Sequence, residues 1–272
     1  MWKTNCDVDN HGLVDALSAG RFQDITWVPQ TGSTNADLTV EAQSDPLRAR
    51  VLVTDEQTAG RGRLDRSWEM EPRGGLMISF YVPWPTSNNA YVIPIALGVA
   101  INTAIEQSGR AVALKWPNDI VVSDSAGEHL VGKKLGGMLS SSVVVDGEFT
   151  GVVAGLGCNV SWPPVDFEEL PEAAALHHLP GDPIDVESLA GDLISRFDGE
   201  LTRVVERGSG QLFERYRDRC ATLGQLVRVD TSGSIVEGRA TDIDDSGALL
   251  VEVDHQQKRI DVGDVVHLRP QG

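Results

Sequence analysis

Short apolar runs rich in branched and aromatic side chains recur along the first 160 residues, and each is typical of a β-strand. The runs lie at residues 50–54, 76–82, 112–115, 120–123, 134–145 and 151–160. Residues 90–107, by contrast, are apolar on nearly every side, with Asn88 or Asn89 available as a cap and Gly109 as an end. This pattern predicts a helix buried in a core.

A helical pattern returns at residues 184–216, and a short helix is predicted at residues 12–19. The longer segment places an apolar side chain at every fourth position, namely Leu189, Leu193, Phe197, Leu201 and Val205. Four strands that follow a buried helix predict an α+β fold, in which a mixed or antiparallel sheet packs on helices.

The sequence pattern changes again near residue 225, where five short runs of alternating apolar and polar residues follow one another. They lie at residues 225–229, 234–242, 248–253, 259–262 and 265–268, and turn residues separate several of them. Five short strands in so few residues predict a small barrel. We therefore divide the chain into a short segment at 1–24, a large domain at 25–222 and a barrel at 223–272.

The composition, with 41% hydrophobic and 23% charged residues, is that of a folded globular protein and argues against a disordered chain. No apolar run approaches the roughly 18 residues expected of a membrane span, and the first residues lack a secretory signal. Three widely separated cysteines, Cys6, Cys158 and Cys220, argue against a disulfide framework or a cysteine-based zinc site. These features predict a cytoplasmic protein.

Charge narrows the range of partners. The chain carries 23 basic and 40 acidic residues, for a formal net charge of −17. A field of this sign repels nucleic acids and anionic membranes, so neither is an expected partner. Solubility explains most of this excess, and the informative feature is where the few positive charges gather.

One such place is the segment from Gly60 to Trp68, GRGRLDRSW, which holds three arginines, two glycines and a tryptophan. Glycine lets backbone N–H groups approach an anion, and arginine offers a forked donor to phosphate or carboxylate. The tryptophan can stack on a flat ring such as adenine. The segment predicts an anion site, the alternative being a solvated basic loop.

Two standard nucleotide motifs fail in this chain. Asp65 stands where the dinucleotide fingerprint needs its third glycine after Gly60 and Gly62. Residues 127–133 match the start of a phosphate-binding loop, but Lys134 replaces its hydroxyl residue and a strand pattern follows instead of a helix. Neither segment predicts a nucleotide site by itself.

Two further clusters combine cations with turn residues or glycine. Residues 115–119, KWPND, lie between two predicted strands, where Lys115 could reach a phosphate and Asn118 and Asp119 could face the same cleft. A turn with an exposed lysine is the plain alternative. Residues 133–137, KKLGG, place a second cationic point beside glycines that allow a ligand to lie close to the strand.

Taken in order, these segments resemble the biotin protein ligase family. The set consists of Ser33-Thr34-Asn35, then Asp55-Glu56-Gln57, the arginine-rich loop, KWPND, KLGG and the segment GLGCNV at 155–160. The resemblance covers residues 25–268. It implies a biotin–lipoate ligase catalytic core of the class II synthetase type, followed by an SH3-like barrel.

The resemblance implies an enzyme that joins biotin to the α-phosphate of ATP and then moves biotin to a lysine of a biotin carboxyl carrier domain. By similarity, Arg63, Lys134, Lys115 and Asp119 are the catalytic residues. Asp119 would orient or deprotonate the acceptor lysine. The predicted biotin-binding residues are Ser33, Thr34, Asn35, Gln57, Gly60, Arg61, Arg63, Lys134, Gly136 and Gly137. The predicted ATP-binding residues are Arg61, Arg63, Arg66, Trp68, Lys115, Asn118, Lys134 and Asn159.

The resemblance also implies partners. Mg²⁺ would bind mainly through the substrate phosphates, since no dedicated cage is visible. The carrier domain would belong to an acyl-CoA or pyruvate carboxylase, and the enzyme would be a monomer or weak homodimer. Some family members carry an amino-terminal winged helix and repress transcription. Only about 25 residues precede the catalytic region here, so we expect no repressor function.

Two departures from the family pattern, and one ambiguity of alignment, bear on these expectations. Asp65 stands where glycine is frequent, which would weaken attraction for a triphosphate, and Cys158 replaces an aliphatic residue as a small buried hydrophobe. Because Lys133 and Lys134 are adjacent, the choice of the key lysine depends on alignment to Leu135.

Two rival functions remain open, a lipoate–protein ligase and an inactive nucleotide-binding module with a barrel for protein contacts. The barrel could simply pack on the large domain, or it could help to organise ATP or the carrier. The arginine-rich loop could order only when ligand arrives. A shared site requires Arg61, Arg63 and Lys134 to face one hollow.

Overall fold

The computed structural model describes residues 20–64, 66–126, 129–164, 168–231, 233–261 and 263–268. Its strands are β1 (Asp24–Val28), β2 (Arg50–Thr54), β3 (Gly75–Pro83), β4 (Val112–Lys115), β5 (Asp119–Val122), β6 (Lys134–Val145), β7 (Glu148–Asn159), β8 (Leu226–Thr231), β9 (Ser234–Ile243), β10 (Leu249–Val253), β11 (Gln256–Ile260) and β12 (Asp264–His267). Its α-helices are α1 (Thr34–Ser44), α2 (Val92–Glu106), α3 (Val186–Arg207) and α4 (Gly210–Asp218). The helix predicted at residues 12–19 lies outside the described residues.

The large domain is built on a seven-stranded mixed sheet in the order β1-β2-β3-β7-β6-β5-β4. Strands β1 and β2 are parallel, and every other neighbouring pair is antiparallel. This arrangement confirms the predicted α+β fold. The predicted strands at 50–54, 112–115 and 134–145 have the observed bounds, and the others are displaced by one to three residues.

Helices cover both faces of this sheet. Because side chains alternate along a strand, Val51 and Val53 of β2 join the main core with α2 and α3, whereas Leu52 faces the other side. On that other side, Leu38 and Ala42 of α1 pack in a second cluster. The sequence analysis did not predict α1 or β1.

Helix α2 is the buried helix that the apolar pattern predicted, and 12 of its 15 residues are buried. Together with the turn before it, at Ser87–Glu106, it has the length and mean hydropathy of a membrane span. The sequence analysis predicts no such segment, because no single apolar run is long enough. Since 67% of its 18-residue apolar window is buried inside the fold, the core accounts for its apolar character.

The predicted helical segment at 184–216 forms two helices, since Gly208 adopts a positive φ of 80° after α3. Position 205 departs from the expected apolar stripe, because Val205 is 67% exposed and Val204 is buried in its place. A spacing of four residues drifts by about 40° per step around a helix of 3.6 residues per turn. After four steps, Val205 therefore lies far from the face of Leu189.

The carboxy-terminal strands form a five-stranded antiparallel sheet in the order β11-β10-β9-β8-β12, consistent with the expected SH3-like barrel. Strand β11 begins three residues earlier than predicted. Buried side chains of this sheet, including Val227 and Leu249, belong to the same core as the large domain. The indole Nε1 of Trp116 donates to Gly247 O at 2.9 Å, so the turn after β4 is joined directly to this domain.

Cys158 and Cys220 are buried free thiols. Burial raises the pKa of Cys158 to about 12, which keeps the thiol protonated and unreactive. Cys158 therefore packs as the small buried hydrophobe that the sequence analysis predicts.

Candidate active site

A single cleft lies on the α1 face of the sheet and brings together most of the predicted site residues. Those that line it are Ser33, Thr34, Asn35, Gln57, Arg61, Arg63, Arg66, Trp68, Asn118, Asp119, Lys134 and Gly137. Arg61, Arg63 and Lys134 therefore share one hollow, as the sequence analysis required.

The register of the sheet explains how the cleft is built. In one row across the strands, Ser79 of β3 pairs with Gly155 of β7, which pairs with Leu139 of β6. Two residues further along β7, Gly157 pairs with Gly137 of β6. Residues two apart on a strand share a face and lie about 6.6 Å apart. The cleft therefore has two adjacent levels on the same face of the sheet.

Two glycines keep both levels open. A Cβ at Gly155 would overlap the side-chain amide of Asn35, and a Cβ at Gly157 would overlap the ring of Trp68. Because any larger residue would displace one of these side chains, the sheet can carry them only above glycine.

The first level holds a cluster of uncharged polar groups at the start of α1. Gln57 Oε1 accepts from the backbone N–H of Thr34 at 2.8 Å and lies 3.0 Å from Thr34 Oγ1. Ser79 Oγ lies 2.7 Å from Thr34 Oγ1 and 2.6 Å from Asn35 Oδ1. Asn35 Nδ2 donates to Leu139 O at 2.9 Å. This level offers hydrogen bonds without charge.

The second level holds the cations. Lys134 Nζ lies 2.7 Å from Asp119 Oδ1, and Arg63 Nη1 donates to Asn118 Oδ1 at 3.0 Å. The Asn118 amide is itself held in place, since its Nδ2 donates to Met138 O at 2.8 Å. An ammonium and a guanidinium thus face the same cleft, each held by a partner from the KWPND segment.

The arginine-rich loop folds back on itself beside these cations. Gly62 N donates to Arg66 O at 2.7 Å, and Trp68 N donates to Gly60 O at 3.0 Å. The Trp68 ring lies 5.9 Å from Lys134 Nζ, within reach of a cation–π contact. Its buried indole Nε1 has no hydrogen-bond partner in the described part of the chain.

The carboxy-terminal domain also reaches the cleft, through Asp264 at the start of β12. Asp264 Oδ2 lies 2.6 Å from Arg66 Nη2.

On the same strand, His267 Nε2 lies 3.3 Å from Thr222 Oγ1. Burial, followed by the positive charge of Lys115, lowers the pKa of His267 to about 4, so this imidazole is neutral at pH 7.

Comparisons with known proteins show the family to which this chain belongs. The model of the biotin/lipoate A/B protein ligase family matches residues 27–159, and the model of the biotin protein ligase C-terminal domain matches residues 222–268. A biotin–[acetyl-CoA-carboxylase] ligase from Mycobacterium tuberculosis is 34% identical over 94% of this chain and 93% of its own. The chain belongs to the biotin protein ligase family.

Two further members of the biotin protein ligase family show how far the similarity extends. The bifunctional ligase/repressor BirA of Bacillus subtilis is 28% identical over 82% of this chain and 68% of its own length. The structure of the Aquifex aeolicus biotin protein ligase with biotin and ATP superimposes with a TM-score of 0.75 at 24% identity. It covers 91% of this chain and 100% of that chain, and so supports the fold.

Four of the residues predicted from the family resemblance do not line the cleft. Gly60 is buried at the start of the arginine-rich loop, and Gly136 pairs with Cys158 with its Cβ direction pointing at Gly157 O. Lys115 ends β4 opposite Asp119. Their roles stay predictions.

Asn159 is the fourth of these residues. It is buried, and its Nδ2 donates to Ala174 O at 3.0 Å. Its buried Oδ1 has no hydrogen-bond partner in the ranges that the structure describes. A buried acceptor of this kind requires a hydrogen-bond donor, but the cleft does not extend to Asn159.

The structure adds several cleft residues that the sequence analysis did not single out for a role. They are Gly62, Ser67, Ser79, Met138, Leu139, Gly155, Leu156, Gly157 and Asp264. The glycines of the GLGCNV segment were available as a signal, because two glycines at spacing two within a strand mark one face where something approaches closely. Ser79 and Asp264 had no such signal. Asp65 lies outside the described residues.

The carboxylates of the cleft do not form a metal cage. Asp119 and Asp264 each pair with a cation. Within the described ranges, no group of three or more His, Cys, Asp or Glu residues could hold a metal ion. The described residues of the cleft therefore do not fit a resident metal.

Proposed function

We propose that this protein is a biotin protein ligase that forms biotinyl-5′-AMP from biotin and ATP and then transfers biotin to a lysine of a carrier domain. The observation that carries the proposal is the two-level cleft, in which an uncharged polar cluster lies next to a lysine and three arginines. Biotin has the matching division, with a neutral ureido head at one end and a carboxylate at the other.

The uncharged level favours biotin over lipoate. Burying polar groups without hydrogen-bond partners costs free energy, so a subsite lined by hydroxyls and amides selects a ligand that returns those hydrogen bonds. The ureido group supplies one C=O and two N–H groups. The dithiolane ring of lipoate supplies none, and would leave the side-chain amide nitrogen of Gln57, which has no hydrogen-bond partner in the described residues, without one.

The charged level supports the first step. The biotin carboxylate attacks the α-phosphorus of ATP, an anhydride bond forms, and the bond to pyrophosphate breaks. Two anions approach each other in this step, so fixed cations lower the barrier most. Arg63 and Lys134 already share the cleft, and a preorganised donor of this kind contributes about 3–4 kcal/mol.

The second step uses the same level. The amine of the acceptor lysine attacks the carbonyl carbon of the adenylate, an amide forms, AMP leaves, and the attacking nitrogen loses a proton. A free lysine has a pKa of about 10.4, so it must be deprotonated. Asp119 lines the cleft and pairs with Lys134, which supports a role in receiving or orienting that amine.

The remaining parts of the proposal concern partners. The acceptor is the biotin carboxyl carrier domain of an acyl-CoA or pyruvate carboxylase, and the enzyme acts in the cytoplasm as a monomer or weak homodimer. Mg²⁺ arrives with the phosphates of ATP. The net charge of −17 supports the absence of a nucleic-acid partner.

One assay tests the function. The protein is incubated with ATP, an apo carrier domain, and either labelled biotin or labelled lipoate. Acid-stable label from biotin but not from lipoate is the expected result. Label from lipoate alone would replace the proposal with a lipoate ligase, and no label from either, with an active ligase as control, would refute ligase activity.

A further inference from the structure

The KWPND segment forms a tight hairpin at the outer edge of the large sheet. Residues 116–118 are the three-residue loop between β4, the last strand of the sheet, and β5. The last residue of this loop, Asn118, accepts from Arg63 Nη1 at 3.0 Å. The next residue, Asp119, pairs with Lys134 Nζ at 2.7 Å. A shift of the loop would therefore shift the partners of two cations in the cleft.

Trp116 begins this loop and is bonded through both of its nitrogens to the chain beyond α4. Its backbone N–H donates to Thr222 Oγ1 at 3.1 Å, and its indole Nε1 donates to Gly247 O at 2.9 Å. Thr222 lies between α4 and β8, and Gly247 lies in the turn between β9 and β10. Trp116 is only 2% exposed and does not line the cleft. It can therefore act on substrates only through the residues that follow it.

The turn that receives the indole N–H is itself well ordered by hydrogen bonds. Asp244 Oδ1 accepts from the backbone N–H of Ser246 at 2.9 Å and from its hydroxyl at 2.6 Å. Asp244 Oδ2 lies 2.7 Å from Arg259 Nε. The backbone N–H of Gly247 donates to Asp244 O at 2.9 Å. These bonds fix the backbone of the turn, and with it the carbonyl that accepts from Trp116.

We propose that Trp116 is a positioning residue through which the carboxy-terminal domain holds the KWPND loop, and with it the partners of Arg63 and Lys134, in the geometry needed for adenylation. Fixed donors lower a barrier because they are in place before the reaction starts. A displacement of about 1 Å can cost about a hundredfold in rate. The proposal rests on the function above, in which these two cations serve the adenylation step.

The location of the loop predicts which kinetic constant responds. The uncharged first level of the cleft is built by α1, β3, β6 and Gln57, whereas the KWPND loop supports the charged second level. Loosening the loop should therefore lower the kcat of adenylation and leave the KM for biotin nearly unchanged.

The first test is Trp116→Phe, which keeps an aromatic ring and removes the N–H that Gly247 O accepts. The kcat of adenylation, measured by pyrophosphate release, should fall about tenfold, with the KM for biotin within about threefold of wild type. Trp84→Phe is the matched control, because Trp84 is 6% exposed, donates from Nε1 to Asn89 Oδ1 at 2.8 Å and lies outside the cleft. Its kcat should stay within about twofold. Equal losses in the two variants, or an unchanged kcat in Trp116→Phe, would overturn the proposal.

The second test asks whether the effect passes through the loop. A variant with both Asn118→Ala and Asp119→Ala lacks the side chains that connect the loop to the cations. Adding Trp116→Phe to it should lower the kcat less than twofold, and a further tenfold loss would overturn the proposal.

If Trp116→Phe does not fold, Asp244→Ala decides, because it loosens the accepting turn from a side chain that is 27% exposed. Its kcat should fall about threefold at an unchanged KM for biotin, and an unchanged kcat would overturn the proposal. Wild-type protein that adenylates no biotin at all would instead overturn the proposed function.

Discussion

Substitution of Lys134 by glutamine separates the contribution of this residue to stability from its contribution to catalysis. Its ion pair with Asp119 is 2.7 Å long, but the two side chains are 40% and 23% exposed. Pairs with this much solvent contribute at most about 1 kcal/mol. The unfolding midpoint should therefore fall by no more than about 2–4 °C.

The rate of biotin adenylation should fall far more. Loss of one preorganised donor at developing charge costs about 2.7–4 kcal/mol, or about 10²–10³ in rate. The variant also leaves Asp119 without its cation, which adds a repulsive carboxylate to a site where two anions must meet. Pyrophosphate release at saturating biotin and ATP measures this rate directly.

Lys133→Gln is the matched control, because it removes the same charge one residue earlier, outside the cleft. We expect its adenylation rate to stay within about twofold of wild type. The assignment of Lys134 would be refuted if its variant kept more than a tenth of the wild-type rate. Equal losses in both variants would show that overall charge, rather than position, governs the rate.

Three further predictions concern the surroundings of the cleft. Gly157→Ala would place a Cβ within the indole ring of the loop tryptophan, so the KM for ATP should rise about tenfold, whereas Gly233→Ala, which meets nothing within 4 Å, should leave it unchanged. Asp264→Asn removes the partner of Arg66 and leaves this arginine free for phosphate. Because an exposed pair contributes at most about 1 kcal/mol, the KM for ATP should fall by up to about fivefold. A rise in this KM would show that Asp264 assists binding. The pKa of His267 is lowered from 6.5 to about 4 in the folded state, so its contribution to stability is present above pH 6.5 and is lost as the pH falls towards 4. His267→Gln should therefore show a smaller drop in unfolding midpoint between pH 7 and pH 5 than wild type, and an equal drop would contradict the burial of this imidazole.

Much of the fold could be predicted because the strands and helix α2 carry strong local patterns. Helix α1 could not. Its buried residues, Thr34, Leu38 and Ala42, recur every four positions, but only the leucine is strongly apolar. The helix is stabilised instead by tertiary packing against the sheet and by the bond from Gln57 to its first turn. A pattern of hydrophobic positions contains no information on such a bond.

Some residues of the site could likewise be predicted from the sequence, and others could not. Cations are few in this acidic chain and several lie beside glycines, so the sequence could identify Arg63, Lys134 and Gly137. Ser79 lies in a strand that is buried on both faces, and alternation cannot say which face borders a cleft. The pairing of Arg66 with Asp264 joins residues 198 positions apart, and depends on how the two domains pack.

The partners of the cations explain how an acidic protein can hold a positively charged cleft ready for substrate. Lys134, Arg63 and Arg66 are each held by an oxygen of Asp119, Asn118 or Asp264. Pairs exposed to water are weak, at most about 1 kcal/mol each, so a phosphate or carboxylate can exchange for these oxygens at little cost. Once substrates exclude water from the cleft, the same cations interact much more strongly with the reacting anions. The carboxylates thus keep the cations in place before binding, and the gain in interaction energy is reserved for the bound state, where it can lower the barrier to adenylation.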